Sequence, residues 1–209
     1  MLKRNKGILI AATLVMLVPM IVGLLLWNQL PEQVAIHWNA AGKVDGWGSR
    51  AMVVFGLPLF VLAIHWMCVL ITCADPKHKD VQGKVVHLVL WICPIVSLVC
   101  HTFVYAWALG YDLSIEIIMP LLCGVLFMII GNLMPKCKQN YTIGIKLPWT
   151  LNDEENWNKT HRFAGKLWVA GGVLIAATSI LGNVLIFLGV TLIMAFVPMI
   201  YSYLLYRKK

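Results

Sequence analysis

The chain has 209 residues, of which 60% are apolar and only 12% are charged. Soluble domains carry about 25% charged residues, so this chain has too little charge to cover a water-facing surface of its size. The composition excludes a soluble enzyme, a disordered chain and a disulfide-stapled scaffold, and it leaves a polytopic membrane protein.

The net charge of +8 comes from basic residues that lie at the ends and in the loops between apolar stretches. This placement indicates that the charges set membrane orientation, and we expect no direct contact with nucleic acid. The six cysteines show no CxxC pair and no metal-ligand spacing. We expect free thiols, no metal and no cofactor.

Apolar stretches long enough to cross a bilayer core, which takes about 20 helical residues, recur along the chain. The last stretch is too long for one crossing and is divided at Gly182-Asn183, since both residues favour turns. On the fifth helix, Gly165, Gly172 and Ala176 share one face, which predicts close packing against a neighbouring helix. We predict an all-α protein with one six-helix transmembrane domain over residues 1–209, with helices at about 7–27, 51–74, 85–109, 115–134, 164–181 and 184–206.

Lys and Arg residues concentrate in alternate segments of this arrangement. Both termini, the second loop with Lys77 and Lys79, and the fourth loop are basic, whereas the remaining loops hold only Lys43 and Arg50. The positive-inside rule therefore predicts that both termini are cytoplasmic. It places the first loop (residues 28–50) outside the cell and the fourth loop (residues 135–163) in the cytoplasm.

Three histidines, His65, His87 and His101, lie inside predicted spans. His87 belongs at the cytoplasmic interface, so His65 and His101 are the functional candidates within the membrane. Their positions along their helices separate them by roughly 10 Å in depth, which disfavours a shared metal site. Hydrogen-bonded packing residues and a path for a small transporter or channel both remain open. The chain contains no HExxH, GxSxG or phosphate-binding loop motif, so we expect that it is not an enzyme.

The first loop alternates apolar and polar residues from Val34 to Asn39, which is typical of a strand. Gly42 and the pair Asp45-Gly46 supply turn residues, so we predict a short extended segment or hairpin. Trp38 and Trp47 are expected to anchor it at the membrane interface. The loop is either a structured linker or an extracellular ligand surface with five candidate contacts: His37, Trp38, Asn39, Gly42 and Asp45.

The fourth loop begins with a segment, residues 141–148, that we predict to be extended because Pro148 disfavours a helical conformation at Leu147. Asn152 and Glu155 then have the spacing of a capping box. One face of the following residues carries Trp157, Thr160, His161 and Ala164. The pattern predicts a cytoplasmic amphipathic helix that runs into the fifth span, either as an interfacial helix without a partner or as a docking surface.

At these two loops the chain resembles the SdpI family of bacterial membrane proteins. Residues 30–42 read LPEQVAIHWNAAG and residues 141–162 read YTIGIKLPWTLNDEENWNKTHR. Lys146-Leu147 stands where the family pattern reads Arg-Thr, and a lysine cannot form the bidentate fork of an arginine. The resemblance implies a six-helix protein of the cytoplasmic membrane.

The resemblance also implies protection against a secreted peptide toxin and, for some members, recruitment of a transcriptional repressor to the membrane. Our hypothesis is an integral membrane immunity or signal-transducing protein embedded in the lipid bilayer. An extracellular peptide toxin would meet the first loop. The fourth loop would hold a cytoplasmic partner or set the helix arrangement through Tyr141, Gly144, Pro148, Trp149, Glu155, Trp157, His161 and Arg162.

Overall fold

A computed structural model of the protein describes residues 2–77 and 83–208. Two of the basic residues used for the orientation, Lys79 and Lys209, lie outside the described residues. The main elements in chain order are α1 (Lys6–Leu25), β1 (Gln33–Trp38), β2 (Val44–Ser49), α2 (Leu57–Ala74), α3 (Lys84–Ala108), α4 (Ile115–Leu133), α5 (Pro148–Leu151), α6 (Glu154–Thr178) and α7 (Val184–Arg207).

Within the described ranges, six helices are long and apolar enough to cross a membrane, which confirms the predicted fold class and span count. The bounds of α1, α3, α4 and α7 fall within two residues of the predictions. The second span begins with a π-helical segment, Met52–Gly56, which continues directly into α2. Short 3₁₀ turns precede α1 and follow α4 and α6.

The amphipathic helix predicted to run into the fifth span is confirmed, but the predicted start of the span is not a helix boundary. The amphipathic segment and the apolar span form one continuous helix, α6, which starts at Glu154 rather than near residue 164. Its cap is Asp153, whose carboxylate accepts hydrogen bonds from the amides of Glu155 and Asn156. The predicted cap at Asn152 is therefore wrong, because Asn152 ends the preceding short helix α5 instead.

The predicted division between the last two spans is confirmed. Gly182 adopts a left-handed conformation with φ of 58°, which glycine reaches without the steric cost of a Cβ atom. Asn183 then caps α7 by accepting a hydrogen bond from the Leu185 amide.

The chain forms two compact units, and each is described here by itself. The first consists of Met1–Cys73 and His87–Ile115, and the second of Ala74–Val86 and Glu116–Lys209. The first loop therefore belongs to the first unit and the fourth loop to the second unit.

The first unit contains the only regular sheet among the described residues, an antiparallel hairpin of β1 and β2. Val34 on β1 packs in a fully buried cluster with Leu30, Val53, Val54 and Tyr105. This cluster ties the hairpin to the start of the second span and to α3. The hairpin predicted for the first loop is confirmed.

The second unit brings α4 and α6 into backbone contact. A Cβ atom added at Gly124 would come within 2.7 Å of the Gly172 carbonyl oxygen, and one at Gly131 within 2.8 Å of the Gly165 carbonyl oxygen. Small residues at such positions let helices approach closely in lipid. The packing stripe predicted from Gly165 and Gly172 is confirmed.

Candidate ligand and partner surfaces

The turn of the first loop is built around Asn39. Its side-chain oxygen accepts hydrogen bonds from the amides of Ala41 (2.9 Å) and Lys43 (3.1 Å). Gly42 has a positive φ of 68°, which closes the turn. Two of the five predicted contacts, Asn39 and Gly42, thus shape the hairpin.

Asp45-Gly46, predicted as turn residues, lie instead inside β2. The pairing shifts register between Ala35 and His37 and again between His37 and Trp38, so the ladder is irregular on both strands. Gly46 faces His37, where an added Cβ atom would lie 2.8 Å from the histidine Cβ atom. The prediction was wrong because the local sequence does not show where a bulge displaces the turn.

His37 and Asp45 form a polar pair on the surface of the hairpin. The imidazole Nδ1 atom lies 2.5 Å from a carboxylate oxygen of Asp45, and the two side chains are 70% and 44% exposed. Both groups are accessible to water or to a ligand. An ion pair this exposed contributes at most about 1 kcal/mol to stability.

Trp38 is held by aromatic contacts within the first unit. Its ring meets Phe103 and Trp107 edge-on, at centroid distances of 5.3 and 5.6 Å. Trp47 contacts Trp107 at 6.1 Å but stays 54% exposed. Trp38 therefore anchors the hairpin on α3, and Trp47 presents an open aromatic surface.

The base of the hairpin is fastened by Arg50. Its guanidinium donates to the carbonyl of Trp27 (2.9 Å) and lies 5.3 Å from the centre of that indole ring. A second nitrogen donates to the Pro31 carbonyl at 3.3 Å. These contacts join the end of α1 to the start of the second span.

The fourth loop is organised by Asn140, which is fully buried. Its side-chain oxygen accepts from the amides of Thr142 (2.9 Å) and Ile143 (2.7 Å). Its amide nitrogen donates to the carbonyls of Lys138 (2.8 Å) and Ile143 (3.0 Å). One side chain thus satisfies a tight turn of backbone that would otherwise be buried without partners.

Cys137 lies beside this turn. Burial raises the pKa of its thiol, while a hydrogen bond from Asn140 acts in the opposite direction. A thiol in such surroundings stays protonated at neutral pH and reacts slowly. None of the six cysteines, all of which lie among the described residues, forms a disulfide.

Trp157 and His161 form the buried face of the first turns of α6. Their rings stack at a centroid distance of 4.0 Å. The indole N–H donates to the Cys137 carbonyl at 2.8 Å. The imidazole accepts from the Ile145 amide at 3.0 Å, and its other nitrogen donates to the Trp157 carbonyl at 2.8 Å. The prediction that Trp157, Thr160, His161 and Ala164 share one helix face is confirmed, and the structure shows that this face is buried within the protein.

Gly144 is required by this packing. It has a φ of 119°, and an added Cβ atom would collide with the His161 imidazole and lie 3.0 Å from the Trp157 ring. Both its conformation and its surroundings exclude a side chain.

Thr150, in the short helix α5, closes the next part of the loop. Its hydroxyl accepts from the Leu147 amide (2.9 Å) and donates to the Ile145 carbonyl (2.8 Å). The side chain of Gln139 donates to the carbonyls of Thr150 and Leu151 at 2.8 and 3.0 Å. Leu147 is extended, as predicted, with φ of −120° and ψ of 153°. The prediction of an extended segment over residues 141–148 is otherwise wrong at both ends, because residues 141–144 bend around Asn140 and Pro148 begins α5.

A second buried polar cluster joins the fourth loop to α7. The Ser202 hydroxyl donates to the side-chain oxygen of Asn156 at 2.8 Å and accepts from the Trp149 indole at 2.9 Å. The Asn156 amide donates to the Ser202 carbonyl at 3.0 Å, and Thr160 donates to the Asn156 oxygen at 3.0 Å. These bonds fix Trp149 against the end of α7.

Asp75 is a site residue that sequence reasoning missed. It is 3% exposed and accepts from the Tyr141 amide (2.8 Å), the Thr142 hydroxyl (3.0 Å) and the Lys77 amide (2.7 Å). The sequence does contain a signal for this residue. A carboxylate at the C-terminal end of a helix is disfavoured by the helix dipole, so its presence indicates that it binds donors elsewhere in the protein. Asp75 belongs to the second unit, and within that unit it fixes the beginning of the fourth loop.

The eight predicted fourth-loop residues therefore fall into two groups, three that are buried or partly buried and five that are exposed. Trp157 and His161 are buried, and Trp149 is partly buried by its contacts with α7. Glu155 is exposed and pairs with Lys159 at 2.7 Å. The remaining members all lie at the surface: Tyr141, Gly144, Pro148 and Arg162.

His65 and His101 are both buried within the first unit. The Nδ1 atom of His101 lies 2.7 Å from the Ser97 carbonyl oxygen of the preceding helical turn. Within residues 2–77 and 83–208, the Nε2 atom of His101 and both ring nitrogens of His65 have no hydrogen-bond partner. In the same part of the chain, no three His, Cys, Asp or Glu side chains cluster in a way that could hold a metal ion.

These features define a multi-pass protein of the cytoplasmic membrane, with a small hairpin in its first loop and a hydrogen-bonded fourth loop that enters its fifth span. Residues 136–202 match the SdpI/YfhL protein family, which confirms the resemblance seen in the sequence. Residues 14–62 match a second family, described as a domain of unknown function (DUF1648).

The chain is 27% identical to the immunity protein SdpI of Bacillus subtilis (strain 168) over 206 residues, which are 95% of this chain and 96% of that protein. No solved structure matches the chain.

Proposed function

We propose that this protein is a non-enzymatic immunity protein that protects a bacterial cell against a secreted peptide toxin. The observation that carries the proposal is its similarity, along 95% of the chain, to a protein named for immunity. The two families that match the chain cover both distinctive loops, the hairpin within residues 14–62 and most of the fourth loop within 136–202.

The first loop offers the surface for the toxin in this proposal. His37 and Asp45 are exposed, and Trp47 adds an open aromatic ring. Polar groups beside an exposed indole suit an amphipathic peptide at a membrane surface, since indole rings prefer that interface. Trp38, Asn39 and Gly42 hold these groups on a defined hairpin.

The fourth loop offers the surface for a cytoplasmic partner, for which a transcriptional repressor is the candidate. Tyr141, Pro148 and Arg162 are exposed, and buried hydrogen bonds hold the backbone beneath the first two of them. A rigid support of this kind lowers the entropy cost of binding. Signalling further requires that toxin binding favour one of two states that differ at this loop.

The immunity proposal is tested in a toxin-sensitive bacterium that expresses the chain. The cells are challenged with a panel of purified secreted peptide toxins, and survival is compared with that of cells carrying an empty vector. We expect survival to rise for at least one toxin. Unchanged killing across the whole panel, with the protein present in the membrane, contradicts the proposal.

The role of the first loop is tested with the double variant His37→Ala/Asp45→Ala. We expect the double variant to lose protection while its membrane level stays normal, because both side chains are exposed. Gln33→Ala is the matched control, since Gln33 is an exposed residue on the same hairpin. Full protection by the double variant excludes this pair as the toxin contact.

The role of the fourth loop is tested by following a fluorescently tagged repressor in toxin-treated cells. We expect toxin-dependent movement of the repressor to the membrane, and its loss in Tyr141→Ala/Arg162→Ala. A repressor that stays in the cytoplasm in cells protected by the wild-type chain separates immunity from signalling.

A small transporter or channel is the second candidate function. It is favoured by His65, whose two ring nitrogens are buried and have no hydrogen-bond partner among the residues that the structure describes. Ionisable groups at membrane depth often mark a path for ions or substrates. Replacing His65 and His101 with Leu would abolish transport in this case. The same variant would leave a loop-based immunity protein active.

A further inference from the structure

A groove in the first unit runs along the N-terminal half of α1. It has a volume of about 470 Å³ and is lined by residues of α1 and of the preceding turn, with Trp66 of α2 contributing the opposite wall. The volume lies within the roughly 300–1,000 Å³ typical of small-molecule sites. The lining residues are Leu2, Lys3, Lys6, Leu9, Ile10, Thr13, Leu14 and Trp66.

The wall of the groove is almost entirely apolar, and two exposed lysines border one end of it, here called the charged end. These lysines, Lys3 and Lys6, are one helical turn apart, and Leu9, Ile10 and Leu14 continue the same face toward the middle of α1. From Leu2 to Leu14 the helix rises about 18 Å, which is close to the thickness of one leaflet of a bilayer core.

The charged end has features that favour an anion. The first turns of the chain contain no acidic residue. The partial positive charge at the start of the helix therefore adds to the charges of Lys3 and Lys6. The predicted orientation places this end at the cytoplasmic leaflet, whose surface is negatively charged.

We infer that this groove binds one anionic phospholipid, with its phosphate group at Lys3 and Lys6 and an acyl chain along Leu9, Ile10, Leu14 and Trp66. Charge complementarity selects the headgroup, and the apolar wall holds the chain. The inference does not depend on the immunity function, because it concerns neither of the two distinctive loops.

Native mass spectrometry of the full-length protein in a neutral detergent tests the inference. The protein is titrated with dioleoyl phosphatidylglycerol and with dioleoyl phosphatidylcholine, which have the same acyl chains but differ in net charge. We expect one tightly bound phosphatidylglycerol and a clear preference over phosphatidylcholine. Equal binding of the two lipids, or many weak equivalent adducts, overturns the inference.

Variants locate the site. Since one basic residue near an anionic surface contributes about a fivefold change in affinity, Lys3→Gln/Lys6→Gln should weaken phosphatidylglycerol binding by roughly 25-fold. Lys138→Gln is the matched control, because Lys138 is an exposed lysine with the same predicted membrane side. If Lys138→Gln weakens phosphatidylglycerol binding as much as the double variant does, the lipid is attracted by the overall positive charge of the protein. This result would overturn the assignment of the site to Lys3 and Lys6.

Two further measurements distinguish the contribution of the headgroup to binding from that of the acyl chain. Trp66→Ala should weaken binding of both lipids, since it removes the apolar wall without changing charge. Glycerol phosphate alone should not compete with the lipid, because it lacks the chain. Competition by glycerol phosphate at concentrations comparable to the lipid, or unchanged binding to Trp66→Ala, would contradict the acyl-chain part of the inference.

Discussion

The first and fourth loops are the two most distinctive segments of this protein, and they are stabilised in opposite ways. In the first loop the polar side chains lie at the surface, and aromatic packing of Trp38 and the arginine contacts of Arg50 hold the hairpin. In the fourth loop the polar side chains are buried and bonded to the backbone, as with Asn140 and His161. Substitutions at the surface of the first loop should therefore cost little stability. In the fourth loop, the loss of any one buried polar side chain should destabilise the fold.

The largest expected effect is that of Asn140→Ala. The change leaves two backbone amides of the turn without a partner, and it leaves two carbonyls with only the weak donor of the Cys137 thiol. Each buried group left unsatisfied costs about 1–3 kcal/mol, so we expect a loss of at least about 3 kcal/mol in stability, seen as a lower unfolding temperature in detergent. Asn158→Ala, at an exposed position of α6, is the control and should change the temperature little.

Gly144→Ala is expected to come next. An alanine at this positive φ is strained by about 1 kcal/mol or more, and its methyl group also meets His161 and Trp157. Gly110→Ala is the matched control, because Gly110 has a φ of 89° but open space around it. If the unfolding temperature of Gly144→Ala falls no further than that of the control, the packing around residue 144 accommodates a methyl group at little cost. The fourth loop would then not depend on its buried groups more than the first loop does.

Trp38→Ala should have an intermediate effect. Each aromatic pair contributes about 0.5–1.5 kcal/mol beyond area burial, and Trp38 forms two such pairs, with Phe103 and Trp107. We expect faster amide hydrogen exchange in the hairpin, residues 33–49, with little change in the fourth loop. Faster exchange in both loops would indicate that the two regions unfold together.

His37→Ala should have the smallest effect on stability. The pair that it forms with Asp45 is exposed, and such pairs contribute about 0–1 kcal/mol. We expect an unfolding temperature within about 4 °C of the wild type, since 1 kcal/mol corresponds to about 2–4 °C in a protein of this size. A large loss of stability would show that this pair supports the hairpin rather than presenting a surface.

Several features of the two loops followed from sequence patterns. Alternation from Val34 to Asn39 predicted the hairpin, and the spacing of Trp157, Thr160 and His161 predicted that they share one helix face. These predictions succeeded because helix and strand periodicity act over a few neighbouring residues.

Other features could not be predicted in this way. The displaced turn at Asp45-Gly46 depends on bulges in the strand pairing, and the role of Asp75 depends on a contact with Tyr141 and Thr142, more than sixty residues away in sequence. The cap of α6 moved by one residue to Asp153 because α5 occupies the preceding turn. Each of these depends on which segments meet in space.

Hydropathy along the chain was sufficient to establish a membrane protein with six spans, because the lipid core demands about 20 apolar residues from any helix that crosses it, whatever its neighbours. The tertiary structure alone decided which polar side chains of the loops are buried and which are available to a ligand. Residue type does not reveal that difference: Asn39 and Asn140 both bond to their own turns, yet Asn39 is exposed and Asn140 is buried, because only Asn140 is covered by other parts of the chain.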